Sequence, residues 1–221
     1  SFMSIKIAPS ILSADFSKMG EAIKKIDIGG ADLVHCDVMD GIFVPNITFG
    51  PKMIEDIRKC TLLPLDVHLM IDRPERYIVK FADAGADYIT IHYEATKRVA
   101  ETLKEIRSYN IKSGLVLKPE TDVSVAEEFL PYCDMLLIMS VNPGFGGQKY
   151  IESSTEKIRA ARRLIEKSGR EIALEIDGGI TIDNIGEAVK AGADTIVAGS
   201  AVFNAADAKA AISALKVAAE S

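Results

Sequence analysis

The chain has 221 residues, of which 48% are hydrophobic and 26% charged, a composition that excludes a disordered or collagen-like protein. The net charge is −6, from 26 lysines and arginines against 32 aspartates and glutamates, which argues against general binding to nucleic acid or to anionic membranes. No apolar run approaches the roughly 18 residues that a membrane-spanning segment needs.

The start of the sequence and its cysteines indicate the compartment. No basic segment followed by an apolar stretch is visible, so we expect no signal peptide. Ser1 and Phe2 precede the first methionine and are expected to be remnants of cloning. The three cysteines are widely spaced, without a CxxC motif, which predicts free thiols in a reducing cytoplasm rather than a disulfide framework or a zinc ribbon.

A recurring phrase divides the chain into repeated units. Residues 29–32 (GGAD), 84–87 (AGAD) and 191–194 (AGAD) each end a helical pattern and precede a short apolar run. The glycine suits the left-handed C-cap of a helix, and the apolar run reads as a strand. An αβ step that occurs three times predicts a repeated βα architecture.

The same patterns place the other elements in chain order. Strands are predicted at residues 5–9, 33–37, 65–69, 88–92, 113–117, 135–139, 173–177 and 195–199. Helical patterns lie between them, at residues 18–28, 75–84, 99–109, 155–167 and 182–191. Eight βα units predict an α/β protein with one domain over residues 1–221, a TIM (β/α)8 barrel whose active site lies at the C-terminal ends of the strands. The rival, a doubly wound open sheet, is disfavoured because no GxGxxG motif follows the first strand.

Ionisable side chains concentrate towards the ends of three predicted strands, at residues 35–37 (HCD), 66–68 (DVH) and 175–177 (EID). At one barrel mouth, two imidazoles and two carboxylates would form a shell for a divalent metal ion, suited to zinc, iron, cobalt or manganese rather than magnesium or calcium. The four candidates are His35, Asp37, His68 and Asp177. The alternative is that each of the four residues is hydrogen-bonded separately and binds no metal. It is disfavoured because burying four unpaired ionisable groups in a packed barrel costs free energy. His92, which ends the fourth strand, is left open as a fifth ligand, a supporting group or a structural residue.

Glycine-rich segments follow the last three predicted strands. They are residues 142–148 (NPGFGGQ), residues 177–180 (DGGI), and Gly199 with Ser200. Glycines let backbone N–H groups approach an anion closely, and the loops after strands seven and eight are a frequent phosphate site in this fold. The sequence therefore predicts a phosphate site, with ordinary turn glycines as the alternative.

Three methionines lie at or just past the strand ends that carry these groups: Met39, Met70 and Met139. Methionine is usually a core filler. At three mouth positions it would instead form an apolar, polarisable wall beside a reacting carbon, and both interpretations stay open.

Five segments of the chain resemble the ribulose-phosphate 3-epimerases. They are residues 8–16 (APSILSADF), 35–46 (HCDVMDGIFVPN), 66–70 (DVHLM), 141–148 (VNPGFGGQ) and 175–180 (EIDGGI). The resemblance extends from Ile5 to Phe203. It implies a metal-dependent TIM-barrel isomerase that interconverts D-ribulose 5-phosphate and D-xylulose 5-phosphate by epimerisation at C3, with two acid/base groups and a metal-stabilised enediolate.

The resemblance also implies roles for individual residues. Asp37 and Asp177 would be the catalytic acid/base pair, and one divalent ion per subunit would be held by His35, Asp37, His68 and Asp177. The substrate would be bound by Ser10, Met39, His68, Met70, Met139, Gly144, Gly146, Gly147, Gly178, Gly179, Gly199 and Ser200. A phosphosugar would be the small-molecule partner, and the protein would be a homo-oligomer, a dimer or larger.

Two other functions remain open from the sequence. A D-allulose 6-phosphate 3-epimerase would use the same metal and acids, although residues 11–15, 142–147 and 177–180 look more like the pentose enzyme. A non-enzymatic phosphosugar-binding barrel would need neither the acid pair nor the metal. The related lyases and decarboxylases are disfavoured, because they carry an Asp-x-Lys-x-x-Asp element where this chain has DVH at residues 66–68.

Overall fold

The computed structural model describes residues 4–221, so the prediction for Ser1 and Phe2 lies outside the described residues. Eight strands run through this part of the chain: β1 Lys6–Pro9, β2 Val34–Met39, β3 Leu65–Met70, β4 Tyr88–His92, β5 Lys112–Leu117, β6 Met135–Met139, β7 Ala173–Asp177 and β8 Thr195–Ala198. The helices are α1 Met19–Ile28, α2 Pro51–Arg58, α3 Ile78–Ala84, α4 Val99–Ser108, α5 Ser154–Ser168, α6 Ile185–Ala191, α7 Ser200–Phe203 and α8 Ala208–Ala219. Between β5 and β6 the connection is a 3-10 helix, Val123–Tyr132.

All neighbouring strands are parallel, in the order β1-β8-β7-β6-β5-β4-β3-β2. A parallel bridge between Ser10 and His35 joins the two ends of this sheet. The strands therefore form a nearly closed (β/α)8 barrel, and the predicted fold is confirmed. The assignment of residues 1–221 to one domain stays a prediction.

The strands are covered on both faces, as parallel strands usually are. Val67 of β3 and Leu115 of β5 belong to the same core as Ile54 of α2 and Phe81 of α3. The barrel interior holds separate clusters of buried side chains, such as Val116, Leu137, Met139 and Val141. None of the helices within residues 4–221 is both long enough and apolar enough to cross a membrane.

Two helices begin three residues later than the sequence pattern predicts. Before α3, Pro74–Arg76 forms a 3-10 turn. Before α6, the Thr181 N–H donates to Asn184 Oδ1 at 2.8 Å, while the Ile185 N–H bonds back to the Thr181 carbonyl at 3.0 Å. Side-chain capping of this kind competes with the first helical turn. The error concerns the boundaries and not the existence of the helices.

The register of the strands decides which polar side chains meet. In the β2–β3 pair, His35 is opposite Asp66, and Asp37 is opposite His68. In the β6–β7 pair, Met139 is opposite Asp177. Because all eight strands are parallel, these residues lie towards the same open end of the barrel.

Candidate active site

Four side chains from three strands converge at the mouth of the barrel. Asp37 Oδ1 lies 3.0 Å from both His35 Nε2 and His68 Nδ1. Asp177 Oδ2 lies 3.3 Å from His35 Nε2 and 3.6 Å from His68 Nδ1. One ligand atom from each residue lies within 4.8 Å of all the others. The structure thus brings together the four residues predicted as metal ligands.

This donor set fits a divalent transition-metal ion. It offers two imidazole nitrogens and two carboxylate oxygens, which suits zinc, iron, cobalt or manganese better than magnesium or calcium. Each imidazole turns one nitrogen, His35 Nε2 or His68 Nδ1, towards the carboxylates and has a hydrogen-bond partner at its other nitrogen. A second partner of this kind is typical of histidines that bind metals.

The electrostatics of the cluster indicate a need for positive charge. Burial opposes a charge on His35, yet the Asp37 and Asp66 carboxylates raise its pKa well above the ordinary value. Burial likewise opposes a charge on His68, but hydrogen bonds with Asp177 and Asp37 raise the pKa of this imidazole. Burial also works against ionisation of Asp37, and nevertheless His35 and His68 lower the pKa of this carboxyl. A bound cation would supply the charge that protons otherwise bring to this site.

A second carboxyl pair lies behind His35. Asp66 Oδ2 is 2.8 Å from His35 Nδ1, and Glu175 Oε1 is 3.9 Å from the same nitrogen. Burial and the neighbouring Asp66 charge raise the pKa of Glu175 well above its ordinary value, so Glu175 is the neutral member. Among residues 4–221 neither Glu175 oxygen finds a hydrogen-bond partner, which a neutral carboxyl tolerates better than a carboxylate. Neither residue was predicted as part of the site, although both stand in the polar strand segments on which the prediction rests.

A cavity of about 540 Å³ opens at the acid pair. Asp37 and Asp177 both line it. The wall also contains the predicted substrate-binding residues Ser10, Met39, Met70, Met139, Gly144, Gly146, Gly147, Gly178, Gly179, Gly199 and Ser200. His68, which the resemblance assigns to both metal and substrate, is fully buried and is not among the lining residues. The other predicted substrate-binding residues therefore line the cavity, whereas the imidazoles of His35 and His68 are buried and do not.

The glycines after β7 have a packing role beside any contact with phosphate. Gly178 has φ +134°, and a Cβ there would lie 2.5 Å from Val141 Cγ2. Gly179 has φ +71°, and a Cβ there would overlap the backbone nitrogen of Tyr150. The loop after β6 thus packs directly on the backbone after β7. Only glycine allows this close approach.

The fold and the site together define an enzyme of the TIM-barrel class, with its functional groups at the C-terminal ends of the strands. These groups are a glycine-lined cavity, an acid pair (Asp37 and Asp177) and a metal-type cluster (His35, Asp37, His68 and Asp177). Residues 6–203 match the family model described as the ribulose-phosphate 3 epimerase family. Ribulose-phosphate 3-epimerase of Bacillus subtilis (strain 168) is 49% identical over 96% of this chain and 98% of its own length. The enzyme of the same name from Escherichia coli (strain K12) is 48% identical, over 92% of this chain and 91% of its own length. The chain therefore belongs to the ribulose-phosphate 3-epimerase family.

Solved structures of other enzymes share the barrel at much lower identity. A crystal structure of 3-hexulose-6-phosphate synthase superposes with a TM-score of 0.74 at 21% identity, over 97% of this chain and 99% of that one. KGPDC from Streptococcus mutans gives a TM-score of 0.75 at 16% identity, over 98% and 97% of the two chains. These likenesses concern the fold alone. The predictions of the fold, the family and an isomerase are confirmed, and the roles of individual residues stay predictions.

Proposed function

We propose that the protein interconverts D-ribulose 5-phosphate and D-xylulose 5-phosphate by inverting C3, with Asp37 and Asp177 as the acid/base pair. The observation that carries this proposal is the position of the two carboxylates. They come from β2 and β7, which β1 and β8 separate in the barrel, and both line one cavity. Inversion removes the proton next to the C2 carbonyl from one face and returns a proton to the other. Two carboxyls that approach from different strands suit this task.

The two aspartates would share the proton transfers. One begins as the carboxylate that removes the C3 proton, and the other begins protonated and supplies a proton to the opposite face. Each aspartate then ends in the protonation state in which the other began, so the same pair also serves the reverse reaction. A bound divalent ion held by His35, Asp37, His68 and Asp177 would act as a Lewis acid that stabilises negative charge developing on the substrate oxygens.

The phosphate end would provide binding energy away from the reacting carbon. Gly146, Gly147, Gly178 and Gly179 bring two backbone segments to the cavity wall, and Gly199 with Ser200 brings a third at the start of α7. Backbone N–H groups in such segments bind anions well. Binding energy at the phosphate can hold C3 between the two aspartates.

The six-carbon substrate D-allulose 6-phosphate is the second candidate, because the acid pair and the cation site would serve it equally well. The pentose is favoured because relatives at 48% and 49% identity are named ribulose-phosphate 3-epimerase. The proposal has four further parts, which rest on the sequence and the family relationship. We propose that the protein is a homo-oligomer, that it is cytoplasmic, that each chain forms a single domain, and that its metal is zinc, iron, cobalt or manganese.

A coupled assay with D-ribulose 5-phosphate tests the proposal on as-purified, chelator-stripped and metal-restored protein. We expect turnover to be lost on stripping and restored by one of the four metals. Asp37→Asn and Asp177→Asn should each lower kcat by about 10²- to 10⁴-fold, the usual contribution of an acid/base group. Faster turnover of D-allulose 6-phosphate would assign the six-carbon substrate instead.

Asp183 offers a matched control for the aspartate variants. It lines the same cavity but is exposed and lies outside the cluster. Asp183→Asn removes a similar charge and is expected to change kcat by no more than about twofold. Turnover that is the same with and without metal would contradict the proposed metal ligands but would leave the epimerase function in place. Full activity in both aspartate variants would contradict the acid/base pair.

A further inference from the structure

A line of hydrogen bonds leads from His68 away from the cavity. His68 Nε2 lies 2.8 Å from His92 Nε2, and His92 Nδ1 lies 2.9 Å from Glu94 Oε1. The two imidazole rings stack with their centroids 5.0 Å apart and their planes 23° apart. Both histidines are fully buried. His92 therefore touches the metal-type cluster through His68 and does not enter the cluster itself.

Glu94 fixes the direction of these bonds. Its Oε2 accepts the Lys118 N–H at 3.0 Å, and a carboxylate can only accept, so the hydrogen between His92 and Glu94 belongs to His92 Nδ1. A single hydrogen lies between the two Nε2 atoms. A neutral His92 with its ring hydrogen on Nδ1 has a lone pair on Nε2, so His68 Nε2 would donate that hydrogen and leave His68 Nδ1 to bind a cation.

We propose that His92 and Glu94 are positioning residues that hold His68 in the tautomer whose Nδ1 lone pair faces Asp37 and Asp177. This inference rests on the metal site of the proposed function. Histidine ligands usually donate their second N–H to a carboxylate, a carbonyl or a water. His35 meets a carboxylate directly in Asp66, whereas His68 reaches one through the imidazole of His92.

Neighbouring side chains also pack against His92 and against its aromatic neighbour. The Phe43 ring packs against His92, with the ring centroids 4.8 Å apart, and Lys118 Nζ lies 4.3 Å from the centroid of the Phe43 ring. Glu94 belongs to the 3-10 turn Tyr93–Ala95 directly after β4, and Lys118 directly follows β5. The support for His68 is thus anchored on two neighbouring strand ends.

Metal affinity of the stripped protein tests this inference without depending on turnover. The dissociation constant for Zn²⁺ or Co²⁺ is measured by competition with a chromophoric chelator. His92→Phe keeps an aromatic ring and removes the acceptor, and it should weaken metal binding by about 10- to 100-fold. His92→Gln restores an acceptor and a donor and should recover most of the affinity. Glu94→Gln should weaken binding in the same direction, because His92 and Lys118 donate to different oxygens of Glu94 and the amide NH2 that replaces one oxygen cannot accept.

Thr90→Val serves as the matched control. Thr90 lies two residues before His92 on β4, is fully buried, and its hydroxyl has no hydrogen-bond partner within residues 4–221. This nearly isosteric change should leave the metal affinity unaltered. Thermal unfolding of each stripped variant identifies losses that come from the fold. If His92→Phe does not fold, His92→Gln and Glu94→Gln carry the test.

Unchanged affinity in His92→Phe, or an equal loss in Thr90→Val, would overturn the inference and leave the proposed function intact. A wild-type protein that binds no metal yet epimerises would overturn both the inference and the ligand set. Absence of turnover with normal, His92-dependent metal binding would count against the proposed reaction only.

Discussion

The Ser10 hydroxyl donates a hydrogen bond of 2.6 Å to Asp37 Oδ2, the carboxylate oxygen that faces away from the imidazoles. Both oxygens of Asp37 therefore have polar partners inside the barrel, and the side chain is held in one orientation. Ser10 lies immediately after β1 at the bridge that closes the sheet. The closure of the barrel thus positions one member of the acid pair.

Ser10→Ala removes this donor and leaves a buried carboxylate oxygen without its partner. A hydrogen bond to a charged group contributes about 1.5–3 kcal/mol to stability, so we expect the thermal midpoint to fall by roughly 3–12 °C. We also expect kcat to fall by about tenfold or more, because Asp37 is no longer held in one orientation. Steady-state kinetics measure the effect. Ser13→Ala is the control, because Ser13 lines the same cavity near Gly199 rather than near the acids. An equal loss in both variants would contradict a specific role of Ser10.

Met139→Leu tests whether the methionine wall takes part in the reaction. Met139 is buried, lines the cavity and is opposite Asp177 in the sheet. Leucine is close in volume, so the stability cost should stay below about 1.5 kcal/mol, while loss of the polarisable sulfur should lower kcat. Met135→Leu changes the other end of the same strand, away from the cavity, and should leave kcat unaltered. Equal kcat values for the two variants would mean that Met139 only fills space.

Glu175→Gln tests the neutral carboxyl behind His35 through the pH dependence of stability. In the unfolded chain Glu175 ionises near its ordinary pKa, whereas burial and then Asp66 raise its pKa in the folded protein. Above the unfolded pKa the folded state therefore binds more protons, and the free energy of unfolding falls as pH rises towards the folded pKa. Glutamine does not titrate. Urea denaturation measures the free energy of unfolding of the variant minus that of the stripped wild type, and this difference should increase from pH 5 to pH 8. A difference that stays constant with pH would show that Glu175 is ionised in the fold.

Gly179→Ala separates close packing from backbone strain. Gly179 and Gly169 have nearly the same φ, +71° and +69°, but an added Cβ would meet the Tyr150 backbone at Gly179 and open space at Gly169. Alanine at either position carries the left-handed strain of roughly 1–2 kcal/mol. Only Gly179→Ala should lose further stability and raise KM for the phosphosugar, because the two loops must move apart. If Gly179→Ala and Gly169→Ala were equally stable and KM were unchanged, close packing at Gly179 would be contradicted.

The positions of the polar groups could be predicted because each follows from one strand. His35, Asp37, His68 and Asp177 each stand in or at the end of an apolar run, and parallel strands bring such ends to one side of a barrel. The first residues of α3 and α6 could not be predicted correctly, because a 3-10 turn at Pro74–Arg76 and side-chain capping at Asn184 replace the first helical turn. Patterns of hydrophobicity do not report these local hydrogen bonds.

The sequence by itself determined the strand–helix repeat, the strand ends that carry carboxylates and imidazoles, and the glycines that follow the last strands. Only the tertiary structure decided which nitrogen of each histidine faces the acid pair, that Asp66 supports His35, and that His92 and Glu94 stand behind His68. The physical reason is the register between strands. The placing of His35 opposite Asp66, and of Asp37 opposite His68, depends on how separate segments pair when the barrel closes, and no single segment carries that information.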